Sequence, residues 1–383
     1  MTDATFDLHL CLVSEYASAN LTPLLDPRFR PQEVVLLTSD RLVEETAWLR
    51  NVLQPSGLRI SELQLADPFD IQEISQQLEQ FLQTVGERSI ALNASAGNRP
   101  MALAAYEVFR HHNRPIFYVQ PGEDLLFWLH PYSAEGHDLA DRVRLPAFLS
   151  AYGTRVTQPG VRQPLHADLR QLTARLIEQV EAWQPLLAAL NWLASRTDSA
   201  LRSPPIPDHL NRDDSFHQLL SLFAENSLLL VEDNRLCFRD DDSRFYANGG
   251  WLEEHVYGTL FGLRRKLRIQ DLAKGVEVER STRRGVSRNE LDVAFLANNR
   301  LYLVECKTKR WSGPDDAVGD GSSALYRLDT LQQLLGGVDG SAILVSYRDV
   351  GNAVRRRAED LEIAICAGRE LSSLPHLLQR WVL

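Results

Sequence analysis

Glu290-Leu-Asp292-Val-Ala-Phe-Leu-Ala-Asn298-Asn299-Arg300-Leu-Tyr-Leu-Val-Glu305-Cys306-Lys307-Thr-Lys309 is the stretch on which the reading of this chain turns. It predicts two strands joined by a tight turn at Ala297–Arg300, where asparagine supplies turn-compatible backbone conformations. Side chains alternate along a strand, so Glu305 and Lys307 share one side and Val304 and Cys306 the other. Asp292 lies in the first strand. Two carboxylates that converge on one spot can hold a hard divalent cation through oxygen. A lysine beside them can orient water or offset the charge of a phosphate under attack. Those groups are the minimum apparatus for cutting a phosphodiester bond. The Asp/Glu-x-Lys spacing alone carries little, because 51 of the 383 residues are acids, even with only four lysines in the chain. Its context carries more. Glu305-x-Lys307 ends an apolar strand of Leu301, Leu303 and Val304, and the acidic pair Glu253-Glu254 opens a predicted helix at Gly249-Gly250-Trp251-Leu252.

Gly-Trp-Leu-Glu on a helix, Glu-Leu-Asp on a strand and Val-Glu-Cys-Lys-Thr on the next strand resemble the PD-(D/E)XK nuclease superfamily, over about residues 245–350. The proline usual before the aspartate is replaced by Leu291. The resemblance implies a restriction-endonuclease-like α/β domain in which Asp292 and Glu305 bind Mg2+ or Mn2+ and the carbonyl of Cys306 completes the shell. Lys307 would position the nucleophilic water, and Glu253 would be the helical acid, with Glu254 competing for that role. Tyr326 to Gly337 resembles the helix after the core strands, ending at a glycine C-cap, and Ala342–Ser346 follows as a buried strand.

Length predicts two or three domains. An apolar fraction of 44% is enough for ordinary packed cores. No run approaches the roughly 20 apolar residues of a membrane span, and the N-terminus lacks a basic-then-apolar signal pattern. Cys11, Cys237, Cys306 and Cys366 are scattered without metal-ligand spacing, which predicts buried free thiols in a reducing, cytoplasmic setting. A net charge of −10 argues against indiscriminate coating of nucleic acid. Residues 1–150 carry 20 acids against 11 Lys/Arg, a balance of −9. Residues 264–288 reverse the sign, with nine basic and three acidic residues, a balance of +6. Arg264, Arg265, Lys266, Arg268, Arg283, Arg284 and Arg288 in that run are therefore expected to track nucleic-acid phosphates beside the hairpin.

The N-terminal third alternates apolar strands (8–13, 34–37, 89–92, 116–119, 125–128) with helices (71–82, 101–111), the pattern of a parallel, doubly wound sheet. Ligands gather at the carboxyl ends of such strands, which brings Ser14, Ser39 and Asn93 forward as site residues. The loop Asn93-Ala-Ser95-Ala-Gly97-Asn98-Arg99 is the sharpest, because a helix N-terminus and a glycine let a phosphate come close. There is no GxGxxG and no lysine-bearing phosphate loop. A strand-to-helix loop of this kind ahead of such a nuclease resembles the Rossmann-like CARF domains of CRISPR-associated ancillary nucleases, over roughly residues 6–150. The resemblance implies a cyclic oligoadenylate, the four-membered ring foremost, bound across a homodimer two-fold by Ser14, Ser39, Asn93, Ser95, Gly97, Asn98 and Arg99, with Asn20 in the first loop.

Gln158-Pro159-Gly160 and Ser203-Pro204-Pro205-Ile-Pro207 mark boundaries, giving a sensing domain at 1–150, a helical connector at 151–207 and a nuclease domain at 208–383. The connector is read as a helix-rich stretch interrupted at Pro185 and anchored by Trp183 and Trp192. A helix at 216–223 and a hairpin at 228–238 then lead into the nuclease. The whole chain reads as a ligand-gated, metal-dependent nuclease of type III CRISPR defence, acting on DNA and, as a second substrate, RNA. The rival is a non-catalytic sensor that binds nucleic acid through 213–239 and the basic run. The intact Asp292, Glu305 and Lys307 set argues against it.

Overall fold

The structure, a computed structural model, describes residues 6–282, 285–308 and 322–383. Its first body is a sheet in the order β3-β2-β1-β4-β5-β6-β7. β1 (Leu8–Leu12), β2 (Glu33–Ser39), β3 (Arg59–Leu65), β4 (Ile90–Asn93) and β5 (Ile116–Gln120) run parallel. β6 (Leu125–His130) and β7 (Tyr132–Asp138) turn back antiparallel. The parallel sheet expected from the sequence therefore gains an antiparallel edge, because the short link between β5 and β6 has no room for a crossover helix. Central strands are covered on both faces and read as unbroken apolar runs; all five residues of β1 are buried. The covering helices are α1 (Ser18–Leu25), α2 (Val43–Leu53), α3 (Ile71–Val85), α4 (Arg99–His111) and α5 (Leu145–Ala151). Side chains start two of them: Asp70 accepts from the N–H groups of Gln72 and Glu73, and Asn98 from that of Met101. The apolar stripes of α3 (Ile74, Leu78, Leu82) and α4 (Met101, Ala104, Val108) then close over β1, β2 and β4.

The second sheet runs β15-β14-β13-β12-β11-β8. β8 (Arg155–Gln158) pairs with β11, so the stretch read as a helical connector also gives this sheet its edge strand. α6 (Ala167–Glu178) and α7 (Val180–Ala194) follow. Their break falls at Gln179, and Pro185 sits inside α7, a departure from the expected interruption. Trp192 is also no buried anchor: it is 39% exposed, with the Arg196 guanidinium 4.6 Å above its ring. α8 (Asp214–Glu225), the hairpin of β9 (Leu229–Glu232) and β10 (Arg235–Phe238), and α9 (Asp241–Phe245) lead to α10 (Trp251–Leu263). β11 (Ile269–Thr282), β12 (Gly285–Ala297) and β13 (Arg300–Lys307) are antiparallel neighbours. α11 (Ser322–Gly336) then crosses to β14 (Ser341–Ser346), parallel to β13, and α12 (Asn352–Asp360), β15 (Ala364–Ala367) and α13 (Leu374–Val382) complete the chain.

One face of this sheet packs Val293, Phe295, Tyr302 and Val304 against Trp251, Tyr257 and the helices of the connector. The other face packs Ala294, Leu296, Leu301 and Leu303 into a cluster that also holds Val13, Leu21, Leu49 and Phe148 of the first body. The two bodies thus share a hydrophobic core, with α5 touching α1, α2 and β12. No helix among the described residues is long and apolar enough to cross a membrane.

Candidate active site and ligand cleft

The hairpin forms as its sequence predicts. Asn298 and Asn299 adopt φ of 50° and 53°, and Ala297 pairs with Arg300 across them. Ladder pairing of β12 with β13 runs as far as Val293 opposite Val304. At the next step a side chain takes over: Asp292 Oδ2 accepts the N–H of Cys306 at 2.6 Å. The strands part there, and the acids occupy the gap. β13 continues on β14, with Glu305 opposite Leu344 and Lys307 opposite Ser346, so both stand on fixed backbone.

α10 carries both Glu253 and Glu254 in its first turn. Lys274 of β11 donates to Glu254, and the two side chains are only 13% and 10% exposed. Glu253 is left with the other acids: after burial, the charges of Asp292 and Glu290 raise its pKa most, partly offset by Lys274. Burial and then Glu305 raise the pKa of Asp292, against the Cys306 N–H that lowers it. Glu305 is raised as well, chiefly by burial, with Arg327 and Lys307 pulling the other way. Four carboxylates therefore crowd one another beside a lysine and an arginine. Two of the six were not drawn from the sequence as site residues. Glu290 lies two residues before Asp292, and period-two alternation could have found it. Arg327, on α11 with Nη2 3.6 Å from Glu305 Oε2, arrives only through the fold.

Do these groups suit a divalent cation? Among the described residues, no three His, Cys, Asp or Glu side chains are gathered closely enough to hold a metal alone. The donors are nevertheless oxygens of the hard type, and their mutual repulsion is what a dication would relieve. Burial, then Asp292, Glu253 and Glu305, push the Cys306 thiol well above its usual range, so its sulfur stays protonated and only its carbonyl oxygen suits such an ion.

A cleft of about 920 Å³ opens at the carboxyl ends of β1, β2 and β4, where the strand order reverses. Ser14, Ser39, Gly97 and Asn98 line it with Tyr16 and Arg41. The Ser39 hydroxyl is buried and has no partner among the described residues. Gly97 has φ of 83°, and a Cβ there would stand 2.9 Å from Leu12 Cβ, so the loop's close approach requires glycine. The other expected ligand residues are placed elsewhere. Asn93 donates to Ala19 O and Asn20 Oδ1, Asn20 donates to Leu12 O, and Ser95 bonds Asn93 and the Val119 N–H. These three tie loops together from inside. Arg99 is exposed at the start of α4 and does not line the cleft.

Comparison with known proteins meets this geometry. Residues 8–146 match the family model of the Card1 CARF domain, and residues 240–383 match that of the Card1-like endonuclease domain. The chain belongs to the Card1-like CARF endonucleases. The crystal structure of protein VC1899 from Vibrio cholerae is similar over 98% of this chain and 97% of its own, at 30% identity and a TM-score of 0.89. Can2 from Sulfobacillus thermosulfidooxidans, solved in complex with cyclic tetra-adenylate, is similar at 25% identity and a TM-score of 0.81, over 98% of this chain and 99% of its own. A type III CRISPR defence DNA nuclease activated by cyclic oligoadenylate shares the fold at 20% identity and a TM-score of 0.58, over 91% of this chain and 46% of its own. No curated protein sequence matches.

In this CARF endonuclease the described residues of the basic run do not form a single patch beside the acids. The run passes from the turn after α10 through β11 into β12; on β11 Lys274 faces Val293, so Asp292 sits level with Gly275. Arg268 is seven residues from that level, about 20 Å along a strand. Most of its cations have intramolecular partners. Arg264 lies 4.1 Å over the Phe261 ring, Lys266 donates to Gln379, Arg268 meets Asp138 at 2.9 Å, and Arg288 meets Glu279 at 3.2 Å. Arg265 is exposed. Arg283 and Arg284 lie outside the described residues.

Proposed function

We propose that this CARF endonuclease is a homodimer switched on by a cyclic oligoadenylate, foremost the four-membered ring, and that it hydrolyses phosphodiester bonds of DNA, and secondarily RNA, with Mg2+ or Mn2+ in type III CRISPR defence. The observation that carries this reading is the crowding of Glu253, Glu290, Asp292 and Glu305 beside Lys307 where β12 and β13 part. Asp292, Glu305 and the Cys306 carbonyl would hold the metal. Bound there, it would polarise the phosphate and lower the pKa of water.

The chain's own groups do the rest. The Lys307 ammonium, fixed by the β13–β14 ladder, orients the attacking water and offsets charge on the phosphate. Glu253, its pKa raised by burial and by Asp292, is a carboxyl able to carry a proton near neutral pH. Arg327, half-exposed beside Glu305, stands where non-bridging phosphate oxygens would come. The Ser39 hydroxyl and the Gly97 loop supply a floor for the ring, and a two-fold partner would offer the same surface from the other side.

The test is cleavage of supercoiled plasmid, single-stranded DNA and RNA with Mn2+, with and without cyclic tetra-adenylate, by the wild-type protein and Glu305→Ala. Cutting that needs both the ring and Glu305 is expected. Ring binding with no cutting under any condition would leave a sensor without catalysis and end the enzyme reading.

A further inference from the structure

Among the described residues of the basic run, Arg280 is the one cation that lines the ligand cleft. It belongs to the endonuclease domain, near the end of β11, yet it meets CARF-side residues. Its guanidinium lies 5.2 Å over the ring of Trp48 on α2 and donates to Tyr152 O, with Leu334 O and Thr154 Oγ1 each 3.4 Å away. Every one of those groups is neutral. Among the described residues it forms no ion pair, and the carboxylates that act on it, Glu44 and Glu45, do so only through space. Its hydrogen bonds all leave from Nη1, so Nε and Nη2 have no acceptor among the described residues. A half-buried guanidinium held by carbonyls and a ring face, with two donor nitrogens in reserve, is prepared for an anion.

The surroundings agree on the kind of anion. The cleft joins Arg280 to the Ser39 hydroxyl and the Gly97 loop, and Tyr16, Trp48, Phe69 and Tyr152 line it with aromatic surface. Arg41 lies 5.2 Å over Phe69 at the same cleft. Cations interleaved with aromatic faces suit phosphates joined to flat bases. Leu334, Gly337 and Val338, at the end of α11, complete the wall from the endonuclease side.

We propose that Arg280 is a phosphate-binding residue of the activator site, so that the endonuclease domain itself forms part of that site. The proposal rests on the reading that a cyclic oligoadenylate occupies this cleft. Ligand occupancy would then be felt directly on β11, which pairs along its length with the strand that carries Asp292. No relay through the CARF sheet is needed.

The test uses the full-length protein, with cyclic tetra-adenylate binding followed by calorimetry and cleavage rate followed against ring concentration. Losing one charge-assisted contact predicts about 10- to 100-fold weaker binding in Arg280→Gln. The half-activating ring concentration should shift by the same factor, and the maximal rate at saturation should stay within about twofold. Arg280→Lys, which keeps the charge but not the fork, should fall between. Thermal unfolding checks the fold; if Arg280→Gln does not fold, Arg280→Lys decides, with about 3- to 10-fold weaker binding expected. Wild-type binding within about twofold in a folded variant, or a lower maximal rate with binding unchanged, overturns the proposal. Failure of the wild-type protein to bind the ring would end both readings, and it shows before any variant is made.

Discussion

Gly249 is the position where one added methyl group should disturb the active site most. It lies in the wide turn Tyr246–Gly250 that feeds α10, with φ of 110° and ψ of −7°. A Cβ on Gly249 would stand 2.2 Å from Thr308 Oγ1, 2.7 Å from its Cβ and 2.9 Å from its Cγ2. Ordinary contact begins near 3.4 Å, so the two segments must separate by more than 1 Å. Those segments lead to Glu253, four residues on, and Lys307, one residue back. For Gly249→Ala, the left-handed backbone costs about 1–2 kcal/mol and the overlap about 1–3 kcal/mol. A total of about 2–5 kcal/mol is expected, read from urea unfolding.

The rate should suffer out of proportion to stability. A misplacement of about 1 Å between catalytic groups can cost about 100-fold. Single-turnover cleavage under conditions where the variant is fully folded measures that loss. Thr308→Gly separates the two causes, because it removes every clashing atom and leaves the backbone strain. In the double variant Gly249→Ala/Thr308→Gly, the steric share of about 1–3 kcal/mol should return relative to Thr308→Gly alone. Gly249→Ala with stability within about 0.5 kcal/mol and a rate within twofold of wild type would refute the reasoning. So would a double-variant cycle with no coupling.

The acid cluster predicts a pH dependence of stability in metal-free protein. Glu253, Asp292 and Glu305 have folded-state pKa values above the unfolded ones of about 4, so they bind protons more tightly when folded. Their contribution to stability should be greatest below that pH and be lost as the pH rises through the raised values. Asp292→Asn, which still accepts the Cys306 N–H, should flatten the slope and raise the melting temperature at pH 8, measured by calorimetry in chelator. A variant no more stable than wild type at pH 8 would count against the crowding. Lys274→Met should cost about 3–5 kcal/mol in chemical denaturation by leaving Glu254 buried without its cation, and Glu254→Met in the same chain should restore most of it.

Readability from sequence followed the physics of each element. The hairpin was legible because its chemistry and its geometry share a period: Glu305 and Lys307 two apart, Asn298-Asn299 in the only turn that closes it. β3 was missed because an edge strand needs no apolar run; only Leu65 of its seven residues is buried, and its backbone pairing with β2 holds it. β8 was missed for the same reason. Ser14, Ser39 and Gly97 line the cleft; Asn98 lines it too but spends its amide on Pro68 O and the Met101 N–H, and Asn20, Asn93 and Ser95 spend their polar groups on one another. A polar residue after a strand can do either, and spacing does not distinguish them. Arg280 and Arg327 become visible only once β11 and α11 are placed against partners distant in the chain.

The shared core limits how a ring in the cleft could act. Phe148 and Leu149 of α5, Leu49 of α2 and Leu296 of β12 are each at most 2% exposed in one cluster that joins the two bodies. Exposing these four side chains alone would cost about 6–12 kcal/mol. Polar links add to that. Tyr16 donates to Asp339 at 2.5 Å, Asn299 to Asp124 at 2.6 Å, and Arg300 to Gly122 O at 3.3 Å. Coupling between a ligand and a distant site is typically worth only about 1–3 kcal/mol. A switch that pulled the CARF and endonuclease halves of one chain apart would therefore ask of the ligand more than coupling supplies. On the homodimer reading, each protomer keeps its core and turns as a unit. The ring then selects the arrangement of two such units in which the acids of both chains can engage a substrate, and Arg280, touching the ring from the endonuclease half, makes that unit rigid where it is grasped.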